Sequence, residues 1–464
     1  MTRPEIWPAS GNVAMTGRGD TWLVVLLAPL SAILALAIFG PIWSPDTGGY
    51  VEYAQQILLG TIPSGEALLH GGPEPISLFR APGYPALLAG LQWLFPDAWR
   101  SALVMLQIAA TTVIAAATHR TALRLGAGRV AAIAAALLPA TGFAVVMQIA
   151  ILTDALNAVL FTGAALALAA WRGAGAAVLA GVLLAAATTI REATPIMAVA
   201  FLPLAWMGAR PLARMLATMV PSLLVLAALM GWNHDRIGRW VVTTTAETQL
   251  VYPLVPLLRH GVPVYAGEDQ FDRVARETVG RDGFAGIGAL HDRMFQEAGM
   301  TAPELSAAAT ARYFRAWRDF PLAMLRATVE DFRVTYLEMP FQPLDTAANL
   351  VVYAEPGGSP DFVKLDRLWQ HSLRGNLGAM LLIVLIALSR AIGIGIALAG
   401  LVLPWLPGRG WPARGLWMIC VGLVGVYLPV HLEPRYMVPV VPLLCIAAAA
   451  SLRPAAVPHE ALSV

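Results

Sequence analysis

The sequence predicts an all-α polytopic membrane protein, a multi-span helical bundle with juxtamembrane helices and one small, mostly helical extracytoplasmic domain. Three observations predict it. First, 58% of the 464 residues are hydrophobic and only 13% are charged, against roughly 25% charged in soluble domains. Mean hydropathy is correspondingly high, +0.65. Second, the apolar residues fall into runs near the length of about 20 residues that crosses a bilayer. Third, arginines crowd every second connection, the signature of cytoplasmic turns. A net charge of +2 argues against nucleic acid as a partner.

Taken in order, the candidate spans are roughly 21–42, 101–118, 129–148, 154–170, 175–190, 193–208, 214–232, 376–405, 414–430 and 436–452. The first, Thr21 to Ile42, carries a small-x-small pattern at Ala35-Leu36-Ala37. It is longer than the roughly 7–15 apolar residues of a cleavable signal core, so it reads as a retained anchor. The run 376–405 is too long for one straight crossing and is interrupted by Arg390, so it reads as a horizontal lead-in before a crossing helix. Cys420 and Cys445 lie in apolar runs and read as small buried hydrophobes.

Arg3 and Arg18, then Arg120, Arg124 and Arg129, then Arg172, Arg210 and Arg214, Arg409 and Arg414, and Arg453 mark the cytoplasmic connections and both termini. The chain then divides into a tail (1–20), an N-terminal transmembrane module (21–232) with a first outer loop at 43–100, a large extracytoplasmic loop or domain (233–375), C-terminal transmembrane helices (376–452) and a second tail (453–464). The large loop holds most of the charge, as in Asp269, Asp272, Arg273, Arg276 and Glu277. Residues 303–337 have helical apolar spacing. The apolar piece Leu250-Val251-Tyr252-Pro253-Leu254-Val255 is expected to lay this domain on the membrane.

Sidedness gathers ionisable residues that are far apart in sequence. Asp46 follows the first span, and Arg80 and Tyr84 share its outer loop. Asp154 stands at the outer end of the fourth span, and Arg191 with Glu192 at that of the fifth. His431, Glu433, Arg435 and Tyr436 join the last two spans on the same side. Ionisable groups at membrane depth are costly and are usually paired or functional. Arginines suit a phosphate through charge-assisted, often bidentate hydrogen bonds, and a carboxylate suits removal of a proton from an acceptor hydroxyl. Apolar spans suit a long isoprenoid tail. Each residue also has a plainer reading: Asp46 and Asp154 as helix caps, Arg80 as a snorkelling side chain, Arg191 paired with Glu192, Arg435 paired with Glu433, and His431 as a structural histidine.

The order of these pieces resembles the GT-C glycosyltransferases, and within them the bacterial relatives of protein O-mannosyltransferases and the lipid A aminoarabinose transferase. The matching residues are Asp46 with Tyr50, Tyr53, Ala54 and Gly60, then Arg80-Ala81-Pro82-Gly83-Tyr84-Pro85, Thr153-Asp154, Arg191, Asn233 with Gly238, and Arg435-Tyr436 with Pro439 and Pro442. Most of the chain is covered, with residues 240–375 matching only loosely. The resemblance implies a GT-C-like bundle and inverting transfer of a sugar from a polyprenyl-phosphate donor to a lipid, glycan or protein acceptor. It further implies Asp46 as base, Asp154 as second acid, and Arg80, Tyr84, Arg191, His431, Arg435 and Tyr436 around the donor. The setting would be a bacterial inner membrane with the site facing the periplasm. A phosphomonoester leaving group balanced by arginines calls for no essential divalent metal, and no metal-ligand spacing occurs in the chain. The chain departs from many members in placing Asp46-Thr47 where they carry paired acids. Two other classes compete: a polymerase or ligase using lipid diphosphates, with Arg312, Arg315 and Arg318 as its phosphate site, and a transporter, which would place charges at the bilayer midplane.

Overall fold

The computed structural model describes residues 18–44, 46–65, 75–141, 144–337, 398–406, 410–430 and 434–452, with isolated positions between 373 and 395. Among them every named element is a helix, and the one β-bridge joins Ile42 to Ala150. Whereas the lead-in expected at the start of 376–405 lies, but for isolated positions, outside the described residues, the apolar runs up to residue 232 and from 411 onward fall on those helices. Three are long and apolar enough to cross a membrane, Gly19–Ala37, Trp99–Arg124 and Pro211–Ile237, with six shorter apolar helices beside them.

The helices used below are α1 (Arg18–Leu27), α2 (Leu30–Phe39), α3 (Thr47–Leu59), α4 (Gly83–Leu94), α5 (Trp99–Arg124), α6 (Arg129–Thr141), α7 (Ala144–Ile149), α8 (Asp154–Ala170), α9 (Ala174–Ile190), α10 (Pro211–Ile237), α11 (Ala302–Asp319), α12 (Pro321–Leu337), α13 (Trp411–Tyr427) and α14 (Val440–Ser451). Prolines divide runs that read as single helices. Pro29 separates α1 from α2, and Pro321 separates α11 from α12, because proline offers no N–H and clashes with the preceding turn.

Between spans, small residues set the packing distance. A Cβ on Gly181 of α9 would lie 2.0 Å from the Ala217 carbonyl oxygen of α10. Phe161, Ala164, Ala165, Ala180, Leu184, Leu416, Ile419, Leu443 and Leu444 form one buried core from α8, α9, α13 and α14. At the end predicted to be cytoplasmic, Asp20 is paired with Arg129, and Thr21 meets His119 Nδ1 at 3.2 Å. Arg214 is buried there and donates to the Trp171 and Gly173 carbonyls at 3.2 and 2.7 Å. Residues assigned to one side by charge therefore meet on one side.

The segment expected to form the large loop has its own core, including Val251, Leu254, Val255, Phe271, Leu290, Met294, Leu305 and Ala309. This corrects the expectation that Leu250–Val255 lies on lipid, since Val251, Leu254 and Val255 are completely buried within the domain. Thr301 and Glu304 form a capping box at the start of α11. Arg312 of α11 donates to Asp272, which is fully buried, at 2.8 Å and to Asp269 at 2.5 Å. Arg312→Ala would remove the closer cation from the buried Asp272 and leave it Arg315 at 3.6 Å and the Gly267 N–H at 2.8 Å, so it should destabilise the domain by about 3 kcal/mol, the low end for a broken buried pair. Urea titration monitored by limited proteolysis of this segment will show it.

Candidate active site

Two backbone arrangements bring the outer loops together. The segment after α2 is stapled to the turn before α8: the Ile42 N–H donates to Ile149 O at 2.9 Å, and the Ile151 N–H donates to Ile42 O at 3.0 Å. The Thr47 hydroxyl donates to Ile151 O at 3.0 Å. Asp46 is thereby held beside the chain that leads into Asp154. Separately, Gly83 sits so close to the last turn of α9 that a Cβ would lie 2.2 Å from Thr189 Oγ1 and 2.6 Å from Thr189 O. Only glycine permits the Arg80–Tyr84 loop to dock there, next to Arg191. A 3₁₀ turn, Pro434–Met437, delivers Arg435 and Tyr436 from the far end of the chain.

The side chains close into one cluster. Asp46 accepts from Arg80 Nη2 at 2.8 Å through one oxygen and from Arg435 Nη1 at 2.6 Å through the other. These side chains are 29%, 22% and 23% exposed, respectively. The Arg80 guanidinium also reaches Tyr50 Oη at 3.4 Å and lies 4.8 Å from that ring's centroid. Tyr50 meets Tyr84 edge-on at 5.0 Å. Asp154, 2% exposed, is paired with Arg191. Arg191 also donates to Thr153 Oγ1 and to Tyr427 Oη, both at 3.3 Å, and lies 4.9 Å from the Tyr436 ring. Tyr436 stacks on Tyr427 with centroids 4.3 Å apart. Arg80 Nε, Tyr84 Oη, Asp154 Oδ2 and Asn157 Oδ1 are buried in this region and have no hydrogen-bond partner among the described residues. Such groups are costly unless a ligand or water meets them.

Burial alone would raise the Asp46 carboxyl, but Arg435 and Arg80 outweigh it and bring it from an ordinary 3.8 to about 2. A folded-state value below the unfolded one adds stability that is fully present above about pH 4 and is lost as pH falls through the folded value. Between pH 4 and pH 2, wild type should therefore lose more melting temperature than Asp46→Asn does in the same detergent. Burial raises the Tyr84 hydroxyl well above its ordinary value, so it is neutral and a hydrogen-bond donor.

Of the residues predicted from sequence, Asp46, Arg80, Tyr84, Asp154, Arg191, Arg435 and Tyr436 are brought together; His431 lies outside the described residues. Two of the plainer readings fare less well, while Glu433, the alternative partner of Arg435, lies outside the described residues. Asp46 makes no capping bond to α3. Arg191 pairs with Asp154 rather than with its neighbour Glu192, which instead accepts from Thr245 Oγ1 at 2.8 Å. Tyr427, Asn157 and Thr245 were missed. Nothing in the local sequence separates Tyr427 from an ordinary interfacial aromatic at a span end, and nothing marks Thr245.

No protein-family model matches the chain, nor does any curated protein. Among solved structures it is similar to the archaeal oligosaccharyltransferase AglB from Archaeoglobus fulgidus, determined in complex with an inhibitory peptide and a dolichol-phosphate, at 13% identity and a TM-score of 0.48. The likeness covers 93% of this chain and 50% of that one, so the chain spans half the length of the protein it matches.

Proposed function

We propose that this chain is a membrane glycosyltransferase of the GT-C type. It would move one sugar from a polyprenyl monophosphate to an acceptor hydroxyl at the outer face of a bacterial inner membrane, with inversion. The observation that carries this reading is the convergence of Arg80 and Arg435 on the two oxygens of the Asp46 carboxylate, at the end of an apolar helical bundle. Two guanidiniums converging on one point fit the dianionic oxygens of a phosphomonoester. Charge that builds on that phosphate as the anomeric C–O bond breaks would be stabilised by the same two groups. The acceptor oxygen attacks the anomeric carbon, the polyprenyl phosphate leaves, and the acceptor proton passes to Asp46. The Asp154–Arg191 pair holds Tyr436 and Tyr427 against the site as a positioning unit. An apolar cavity lined by Thr118, Ala136, Pro139, Ala158, Val438 and Val441 borrows Val438 from the stretch that follows Arg435 and is compatible with an isoprenoid chain.

The lipid-diphosphate alternative loses its phosphate site. Arg312 is committed to Asp269 and Asp272, Arg315 stands 3.6 Å from Asp272, and Arg318 is bonded to Asp319 at 2.7 Å. Lipid extracted from purified Asp46→Asn protein and analysed by mass spectrometry tests the proposal. A copurifying polyprenyl-monophosphate sugar supports it. A copurifying lipid diphosphate or a nucleotide sugar overturns it. Transfer is also expected to persist in EDTA, because the arginines supply the charge a metal would otherwise provide.

A further inference from the structure

We propose, on the basis of that reading, that the Asp46 carboxylate occupies the donor-phosphate position of the Arg80–Arg435 pair in the resting protein. Donor binding displaces it, and only then is it free to accept the acceptor's proton. Asp46 would thus be an internal competitor of the donor as well as the base.

The geometry distinguishes the two acid–arginine units. Asp154 and Arg191 are 2% and 15% exposed, and Arg191 is further tied to Thr153, Tyr427 and the face of Tyr436. That unit is closed. Around Asp46 the three side chains are 22–29% exposed, so an anion arriving from the interface can reach both guanidiniums. Both Asp46 oxygens already accept an arginine N–H, at 2.8 and 2.6 Å. A carboxylate held in this way is a poor base, because protonating it sacrifices an ion pair. The donor's phosphodiester brings two non-bridging oxygens that can accept from the same two donors, and it gains a second charge as the anomeric C–O bond breaks, so the departing phosphate holds both guanidiniums more strongly than a carboxylate does. When it does, Asp46 loses its counter-charges while Glu192, whose field also acts on Arg80, stays nearby. Both changes favour proton uptake by Asp46. The phosphate subsite is therefore Arg80 with Arg435, and Arg191 is excluded from it. The donor must also bind before the acceptor can be deprotonated.

The test is equilibrium binding of farnesyl monophosphate, with farnesol as the control, to the full-length protein in detergent. The forms compared are wild type, Asp46→Asn, Asp46→Ala, Arg80→Gln and Arg435→Gln, each checked for a sharp melting transition. Removing the internal competitor should tighten monophosphate binding by about ten-fold, or roughly 1.4 kcal/mol, whereas either arginine variant should weaken it. Binding by both Asp46 variants that is equal to or weaker than wild type would overturn the displacement while leaving the glycosyltransferase reading standing. No preference for the monophosphate over the alcohol in any form would overturn both. A second measurement needs no variant. Carbodiimide labelling of Asp46 in wild type, read by peptide mass spectrometry, should rise when farnesyl monophosphate is added, and unchanged labelling contradicts the proposal.

Discussion

Asp46→Asn is expected to lower the transfer rate by about three orders of magnitude, the middle of the range for general-base loss, while the protein still folds and inserts. The substitution keeps the volume and removes the carboxylate assigned to take the acceptor proton. Its structural cost is modest, because the Asp46 ion pairs are partly solvated, at 22–29% side-chain exposure, and such pairs contribute little to stability. The kinetic signature is a fall in kcat without a rise in KM for the donor, since Arg80 and Arg435 are both retained to meet the phosphate. Steady-state kinetics with a defined polyprenyl-phosphate sugar reads this directly. Turnover within a few fold of wild type would remove Asp46 from the chemistry.

The second large effect concerns the buried pair. Asp154→Ala leaves Arg191 charged at 15% side-chain exposure with its carboxylate gone, and breaking a buried pair in this way costs about 3–5 kcal/mol. The double variant Asp154→Leu/Arg191→Leu removes both charges and should recover most of the melting temperature, because replacing a buried ion pair by apolar groups is often neutral. Activity should not recover with it. Arg191 donates to Tyr427 and packs on Tyr436, so its loss misplaces the ring beside Arg435. Stability that returns without activity marks this pair as positioning machinery. Return of both would make it purely structural, and return of neither would mean the pair is essential to folding.

Much of this arrangement could be read before any coordinates, and the reasons differ by level. The helices were legible because a bilayer demands runs of apolar residues whatever the neighbours. The composition of the site was legible because alternating arginine-rich turns assign every loop to a side, which places Asp46, Asp154, Arg80, Arg191 and Arg435 together. The pairing was not legible. Which arginine meets which acid depends on the close approach at Gly83 and on the Ile42–Ala150 bridge, neither of which has a local sequence signal. Leu250–Val255 was misassigned because an apolar segment does not reveal whether protein or lipid covers it. Helix 303–337 was read as continuous through Pro321, which in fact starts a second helix. Tyr427 was invisible for a related reason: an aromatic at a span end has the same sequence appearance whether it anchors the membrane or holds an arginine.

The central claim is that Arg80 and Arg435 receive a lipid-linked phosphomonoester as the leaving group. Its most direct test is to incubate the purified protein with a synthetic polyprenyl-monophosphate sugar, the matching polyprenyl-diphosphate sugar and a nucleotide sugar in separate reactions with an envelope lipid extract, and to analyse the lipid released by mass spectrometry. The expected result is release of polyprenyl monophosphate from the first donor alone, abolished in Arg435→Gln. Release of polyprenyl diphosphate, or consumption of the nucleotide sugar, would contradict the account.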